Sequence, residues 1–242
     1  MDHAEMTLMD SGYKPPPRGE DLPTSDGEPM ETTRHREQMV LLIATLQDAW
    51  RSRDDYYVGG DMFVYYSELQ AKHRDFRGPD VFVVMDTVKR ERKSWVVWEE
   101  DGRAPDVVIE LTSPSTEHID HGDKMRVYAR LLRVAEYYVF DPFTARLEAF
   151  EVDPETRAYR PRTADAQGRF NSVATGLTLG VVPGRAGDID ANWLRWIDAA
   201  GNVLPTGQER AEREAERAER EAERADAAVR RVAELEARLG SS

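Results

Sequence analysis

The sequence predicts an α/β domain, a central mixed β-sheet flanked by helices, followed by a separate charged helix at the C-terminus. Three observations lead there. Between Tyr56 and about Val152 the apolar residues come in short runs rich in β-branched and aromatic side chains, the composition of strands. Two stretches carry helical spacing instead, one before that region and one inside it. Residues 205–242 are dominated by Arg, Glu and Ala in a heptad pattern that neither neighbouring region shares.

Taken in order, residues 1–30 are rich in Pro, Gly, Asp and Glu, with Pro15–Pro17 together, and read as a flexible leader. A domain is expected over 31–204. It opens with a helix on which His35, Met39, Leu42, Leu46 and Trp50 share one face, with Thr32 or Thr33 as its cap. Strands are expected at Val58, Met62–Tyr66, Val81–Met85, Trp95–Trp98, Val107–Thr112, Tyr137–Phe140 and Leu147–Val152. One helix interrupts them from about Thr116 to Leu132, with Asp120, Lys124, Tyr128 and Leu131 on one face. Strands around a single helix imply a mixed core. Residues 153–204 read as short strands and turns that complete it.

The tail repeats REAERAE at 213–219 as REAERAD at 220–226. Ala211, Ala215, Ala218, Ala222, Ala225, Val229, Val232 and Leu239 form a seam at coiled-coil spacing. Alanine buries little area, so the pattern fits a self-associating helix, as in a dimer, or a solvated single helix.

Bulk properties narrow the function. Hydrophobic residues make up 40% and charged residues 33%, as expected of a soluble globular chain. No apolar run approaches the roughly 18–20 residues of a membrane helix, and the N-terminus has no basic-then-apolar secretory pattern. With no cysteine, disulfides and thiolate metal sites are excluded, and the cytoplasm is the expected compartment. A net charge of −13 argues against coating nucleic acid by bulk electrostatics. It does not exclude an enzyme, because a divalent cation reverses the local sign at an acidic site.

The most informative stretch is PDVVIELTSPS at 105–115. Val107, Val108, Ile109 and Leu111 describe a strand apolar on both faces, with Glu110 inside it. A carboxylate there is costly unless it is paired or binds a cation. A structural ion pair with a lysine or arginine is the alternative. Two carboxylates could partner Glu110: Asp80 in GPDVFVV, and Asp106. Asp106 and Glu110 lie four residues apart on one strand, roughly 13 Å. One Mg²⁺ with ligands at ~2.0–2.1 Å cannot bridge that. A hairpin through 86–103 would bring Asp80 beside Glu110, so Asp80 is the expected partner and Asp106 a strand-entry residue.

Thr112 shares the Glu110 face, at the position where a lysine would complete a Glu-x-Lys arrangement. Lys124 is the expected substitute, aimed inward by its neighbours; a surface pair with Asp120 is the alternative reading. His35 could serve the site or be a buried structural histidine. Lys89, Arg90, Arg92 and Lys93 could form a solvated hairpin or touch a phosphate backbone. His73, His118 and His121 make no metal-ligand spacing, and Ser113 and Ser115 read as turn or capping residues without a nucleophile's partners.

The run from Tyr57 to about Leu179 resembles the Uma-two family of proposed endonucleases, a branch of the PD-(D/E)xK restriction-endonuclease-like superfamily. The resemblance rests on YVGGDMFVYY (57–66), GPDVFVV (78–84), VVWEE (96–100), PDVVIELTSPST (105–116), the Asp120/Asp123–Lys124–Tyr128 helix, EYYVFDP (136–142), Leu177 and Leu179. It implies a restriction-endonuclease-like core with Mg²⁺, or Mn²⁺, at Asp80 and Glu110, and Lys124 as the displaced lysine. The main-chain carbonyl of Leu111 is the expected further metal ligand, and DNA the expected substrate. Two departures stand out: Thr112, and Leu132-Arg133-Val134-Ala135 where such proteins usually have a glycine before the "EY" strand. The rival expectation is a non-catalytic module of the same fold, binding partners through its C-terminal helix; a weaker one is a hydrolase of another substrate.

Overall fold

The computed structural model describes residues 16–23, 32–67, 76–113 and 116–239. Most of the leader, together with His73 and Ser115, lies outside the described residues. The chain divides into two units, Met1–Leu204 and Pro205–Ser242.

The first unit is built on a six-stranded sheet in the order β1-β4-β6-β7-β8-β9. Its strands are β1 (Tyr56–Gly59), β4 (Val81–Met85), β6 (Val107–Leu111), β7 (Glu136–Asp141), β8 (Arg146–Val152) and β9 (Tyr159–Pro161). Of the neighbouring pairs only β6 and β7 run parallel. A parallel pair needs a crossover, and here it is helical. Residues Glu117–Ile119 and Met125–Val127 are wound as α-helix, Asp120–Lys124 and Tyr128–Leu132 as π-helix; together they form α2. The mixed sheet with flanking helices is the architecture the sequence predicted.

α1 (Thr33–Ala49) covers the opposite face. Thr32 caps it, its hydroxyl accepting from the His35 N–H. Leu42, Leu46 and Trp50 enter a cluster with Val81, Val83, Val107, Ile109 and Leu111. Against α1 also lies a second sheet of β10 (Phe170–Asn171), β11 (Thr178–Ala186) and β12 (Ile189–Ile197). β11 and β12 are nine residues each, longer than the short strands expected over 153–204. The sequence NWLRWI hides their alternation because Trp193, Leu194, Arg195 and Trp196 are all buried. Gln38 explains the docking: its amide donates to the Leu194 carbonyl at 2.9 Å and accepts the Leu194 N–H at 2.9 Å.

A third small sheet joins β3 (Phe76–Arg77), β2 (Val64–Tyr65) and β5 (Trp95–Val96). The expected strand at Trp95–Trp98 ends early, in a 3₁₀ turn over Val97–Glu99. Composition placed 16–23 within a mobile leader, yet this stretch is docked on that sheet. Leu22 is buried with Phe63, Tyr65 and Val96, while Trp98 Nε1 and the Tyr65 hydroxyl donate to the carbonyls of Pro17 and Pro23.

The second unit is α3 (Gly207–Leu239), one continuous helix whose described side chains are almost all solvent-exposed. No helix among the described residues is long and apolar enough to cross a membrane.

Candidate active site

Strand register creates the site. On β4 and β6, Val81 faces Ile109 and Phe82 faces Val108, which sets Asp80, one residue before β4, opposite Glu110. The Leu111 N–H donates to Asp80 Oδ2 at 2.7 Å, and the Asp80 N–H lies 3.5 Å from Glu110 Oε2. Glu110 alternates with Ile109 and Leu111, so its side chain leaves the α1 face and enters the side covered by α2.

From α2, Lys124 Nζ reaches Glu110 Oε2 at 3.1 Å and Asp120 Oδ1 at 3.0 Å. The Tyr128 hydroxyl donates to the other Glu110 oxygen, Oε1, at 2.8 Å. Tyr137, from β7, donates its hydroxyl to the main-chain carbonyl of Asp120 at 2.9 Å. Asp120, Lys124 and Tyr128 are four residues apart, and α-helical spacing of ~3.6 residues would rotate them progressively out of line. The π-wound segments widen the turn and keep the three aligned. The same widening moves the buried position at the end of α2: Leu132 is buried, whereas Leu131, expected on that face, is 61% exposed.

Three carboxylates therefore surround one ammonium, with Glu110 and Asp120 each only 1% exposed. Burial pushes the Glu110 carboxyl up to about 8, against the pull of Lys124 and with the help of the Asp80 and Asp120 charges. Burial likewise raises Asp80. Burial alone would lower Lys124, but the charges of Glu110, Asp120 and Asp80 outweigh it and hold the ammonium firmly protonated. The cluster is short of positive charge. Among the described residues, no group of three or more His, Cys, Asp or Glu is arranged to hold a metal ion.

The other expected residues sort clearly. Asp106 closes the far end of the β4–β6 pair: its N–H donates to the Val83 carbonyl and its Oδ2 accepts from Met85 N–H at 2.7 Å. Thr112 is buried beside Glu110 and offers no charge. His35 lies on α1, its Nδ1 2.8 Å from the Thr32 hydroxyl and its ring against Phe143, on the other side of the sheet from Glu110. The basic run 89–93 leaves the Met85 end of β4, away from the carboxylates. Glu100 binds both Arg90 and Arg92 at 2.7 Å, and Arg92 stacks on Tyr57 and Trp95. Lys89 donates to the Tyr56 hydroxyl at 3.1 Å. His121 pairs with Glu148. Ser113 and Thr116 bond one another at the start of α2, as turn residues do.

Three contributions escaped the sequence reading. Asp120 is a buried third carboxylate instead of a surface partner, and Tyr128 bonds Glu110 instead of only filling the core. The repeat of Asp120, Lys124 and Tyr128 at four-residue steps was the available signal. Gly60 was a third: a Cβ there would stand 2.3 Å from the Asp80 carbonyl, so only glycine lets the chain leaving β1 pass this close.

Comparison with known proteins places the chain in a family. An uncharacterised protein of Synechocystis sp. (strain ATCC 27184 / PCC 6803 / Kazusa) is 27% identical over 95 residues, 38% of this chain, and the match spans about half, 47%, of that relative's length. The crystal structure of a putative nuclease belonging to DUF820 from Anabaena variabilis ATCC 29413 superposes with a TM-score of 0.43 at 13% identity, covering 70% of this chain and 90% of that one. The sequence model of the Uma2 family, described as "Putative restriction endonuclease", matches residues 14–183, well over half the chain. This chain belongs to the Uma2 family.

Proposed function

We propose that the chain is a Mg²⁺-dependent endonuclease that hydrolyses DNA phosphodiester bonds, with Mn²⁺ as an alternative ion. The observation that carries this reading is the meeting of Asp80, at the entry to β4, with Glu110 on the adjacent β6, thirty residues apart in sequence, with Lys124 3.1 Å from Glu110. Hard carboxylate oxygens that lack compensating charge suit a hard divalent cation. Asp80, Glu110 and the main-chain carbonyl of Leu111 would hold it, and water would complete the shell, as Mg²⁺ prefers. When bound, such an ion supplies Lewis-acid polarisation of the phosphate and a lowered pKa for water.

The chain's own groups do the rest. Tyr128 fixes the orientation of Glu110 through Oε1. The Leu111 N–H fixes Asp80 through Oδ2. Lys124, firmly protonated, orients the attacking water and stabilises negative charge building on the phosphate. It takes the place of the lysine absent at Thr112.

Cleavage of supercoiled and single-stranded DNA by the purified chain, with Mg²⁺ or Mn²⁺ and with EDTA, tests the reading. Ion-dependent nicking that falls at least about a hundredfold in Asp80→Asn and Glu110→Gln is expected for loss of metal ligands. Equal cleavage by parent and variants would sink it. The net charge of −13 favours a second reading, a nuclease fold used for binding through its tail. Ion binding at Asp80 and Glu110 without turnover of any nucleic acid would select it.

A further inference from the structure

Lys124 has two carboxylate partners, and Glu110 has two claims upon it. Under the metal-dependent reading above, on which this inference rests, Glu110 must serve both as ligand and as the partner of Lys124. A carboxylate drawn toward a divalent ion has less negative charge to offer an ammonium. Lys124 would then relax outward, since its stem is flexible and its side chain is 23% exposed.

Asp120 removes that conflict. It lies 1% exposed, with Oδ1 3.0 Å from Nζ, and it belongs to the same helix as the lysine. Among the described residues, no hydrogen-bond donor other than Lys124 approaches that oxygen. Its main chain is pinned in turn by the Tyr137 hydroxyl. The π-wound segment places Asp120 and Lys124 in line. A buried carboxylate with a single cationic partner is costly to maintain for stability alone.

We infer that Asp120 is the positioning residue of Lys124: it keeps the ammonium at the site when Glu110 turns to the cation. Two anchors serve one lysine because one of them has to change partner.

Amine acetylation of the full-length chain, read at Lys124 by mass spectrometry with exposed Lys93 as internal reference, tests this without any need for turnover. Glu110→Gln imitates a Glu110 that has given up its charge. Lys124 in that variant is expected to stay protected, within about threefold of the parent, because a charge-assisted contact to Asp120 remains. In Asp120→Asn, Lys124 is expected to react about tenfold faster than in the parent when Mg²⁺ or Ca²⁺ is present, the loss of one charge-assisted contact. A smaller difference is expected in EDTA, where Glu110 Oε2 remains within hydrogen-bond reach of Nζ at 3.1 Å. If Lys124 reacts as fast as Lys93 in Glu110→Gln, or stays fully protected in ion-loaded Asp120→Asn, the inference is overturned.

Turnover adds an independent reading. If the parent cleaves DNA, Asp120→Asn is expected to lower kcat while leaving KM near the parental value, with Asp120→Glu restoring part of the loss. An unchanged kcat would overturn the positioning role. A parent that cleaves nothing refutes the nuclease reading, while the acetylation results still decide what holds Lys124.

Discussion

Tyr128 donates its hydroxyl to Glu110 Oε1 at 2.8 Å from a ring with no exposure to solvent. The bond ties the crossover helix to the central strand at the point where the chemistry is proposed. Tyr128→Phe preserves the ring's packing and removes the donor alone. Leaving a buried acceptor unsatisfied costs roughly 1–3 kcal/mol, so the urea midpoint is expected to fall with an unchanged slope. An unmoved midpoint would show that the bond contributes nothing.

Stability should depend on pH through Glu110. Its carboxyl titrates near 8 in the fold, against 4.5 for an ordinary glutamate. Between those values the native state holds a proton that the unfolded chain has lost, so ion-free stability falls as pH rises through that window. Below it, both states are protonated and the contribution vanishes; above it, the penalty is complete. Urea titrations from pH 5 to about 8 in EDTA should show this decline in the parent and a flatter profile in Glu110→Gln. A divalent cation should stabilise the parent more at the upper end of the range. Identical slopes in both proteins would contradict the assignment.

Gly60 offers a test that touches no functional group. A methyl at this position would meet the Asp80 carbonyl at 2.3 Å and Ile43 Cδ1 at 2.7 Å. Overpacking of this kind costs ~1–3 kcal/mol, and here it pushes on the backbone that carries a proposed ligand. Gly60→Ala is therefore expected to lower both the melting temperature and divalent-ion affinity by calorimetry. A variant that keeps parental ion affinity would mean that the strand absorbs the shift elsewhere.

Arg133 ends α2 in the left-handed region, at φ 55°. An L-residue pays about 1–2 kcal/mol to be there. Arg133→Gly relieves that strain but gives the unfolded chain more freedom, leaving a net gain of ~0.5–1 kcal/mol. Thermal melts should show a modest rise. A fall would indicate that the arginine side chain makes a contact worth more than the strain.

The central strands were legible because two-sided burial leaves a continuous apolar run, VFVVM and VVIEL, that few other structures would produce. The partnership of Asp80 with Glu110 was read from strand rise, which removed Asp106, together with a hairpin through 86–103 that brings the two strands side by side. What burial does to helix periodicity was not legible: π-winding has no composition signature, so the inward position was read at Leu131 when it falls at Leu132. The docked segment 16–23 was missed because proline and glycine advertise freedom, while its anchors, Trp98 and Tyr65, lie many residues away. In the basic run 89–93, the pairing of Arg90 and Arg92 with Glu100 was not legible either, because no spacing connects that carboxylate to the run.

The alanine seam of α3 carries a further consequence. Immediately beside Ala211, Ala215, Ala218, Ala222 and Ala225 stand Glu212, Glu214, Glu219, Glu221 and Asp226, while Arg213, Arg217, Arg220 and Arg224 fall on the remaining surface. The flanks of the seam are thus acidic over this stretch, while the surface behind it mixes these arginines with Glu216 and Glu223. Two identical tails laid seam to seam would oppose carboxylates whether they ran parallel or antiparallel, a repulsion that added salt weakens. A helix with basic borders would meet no such barrier.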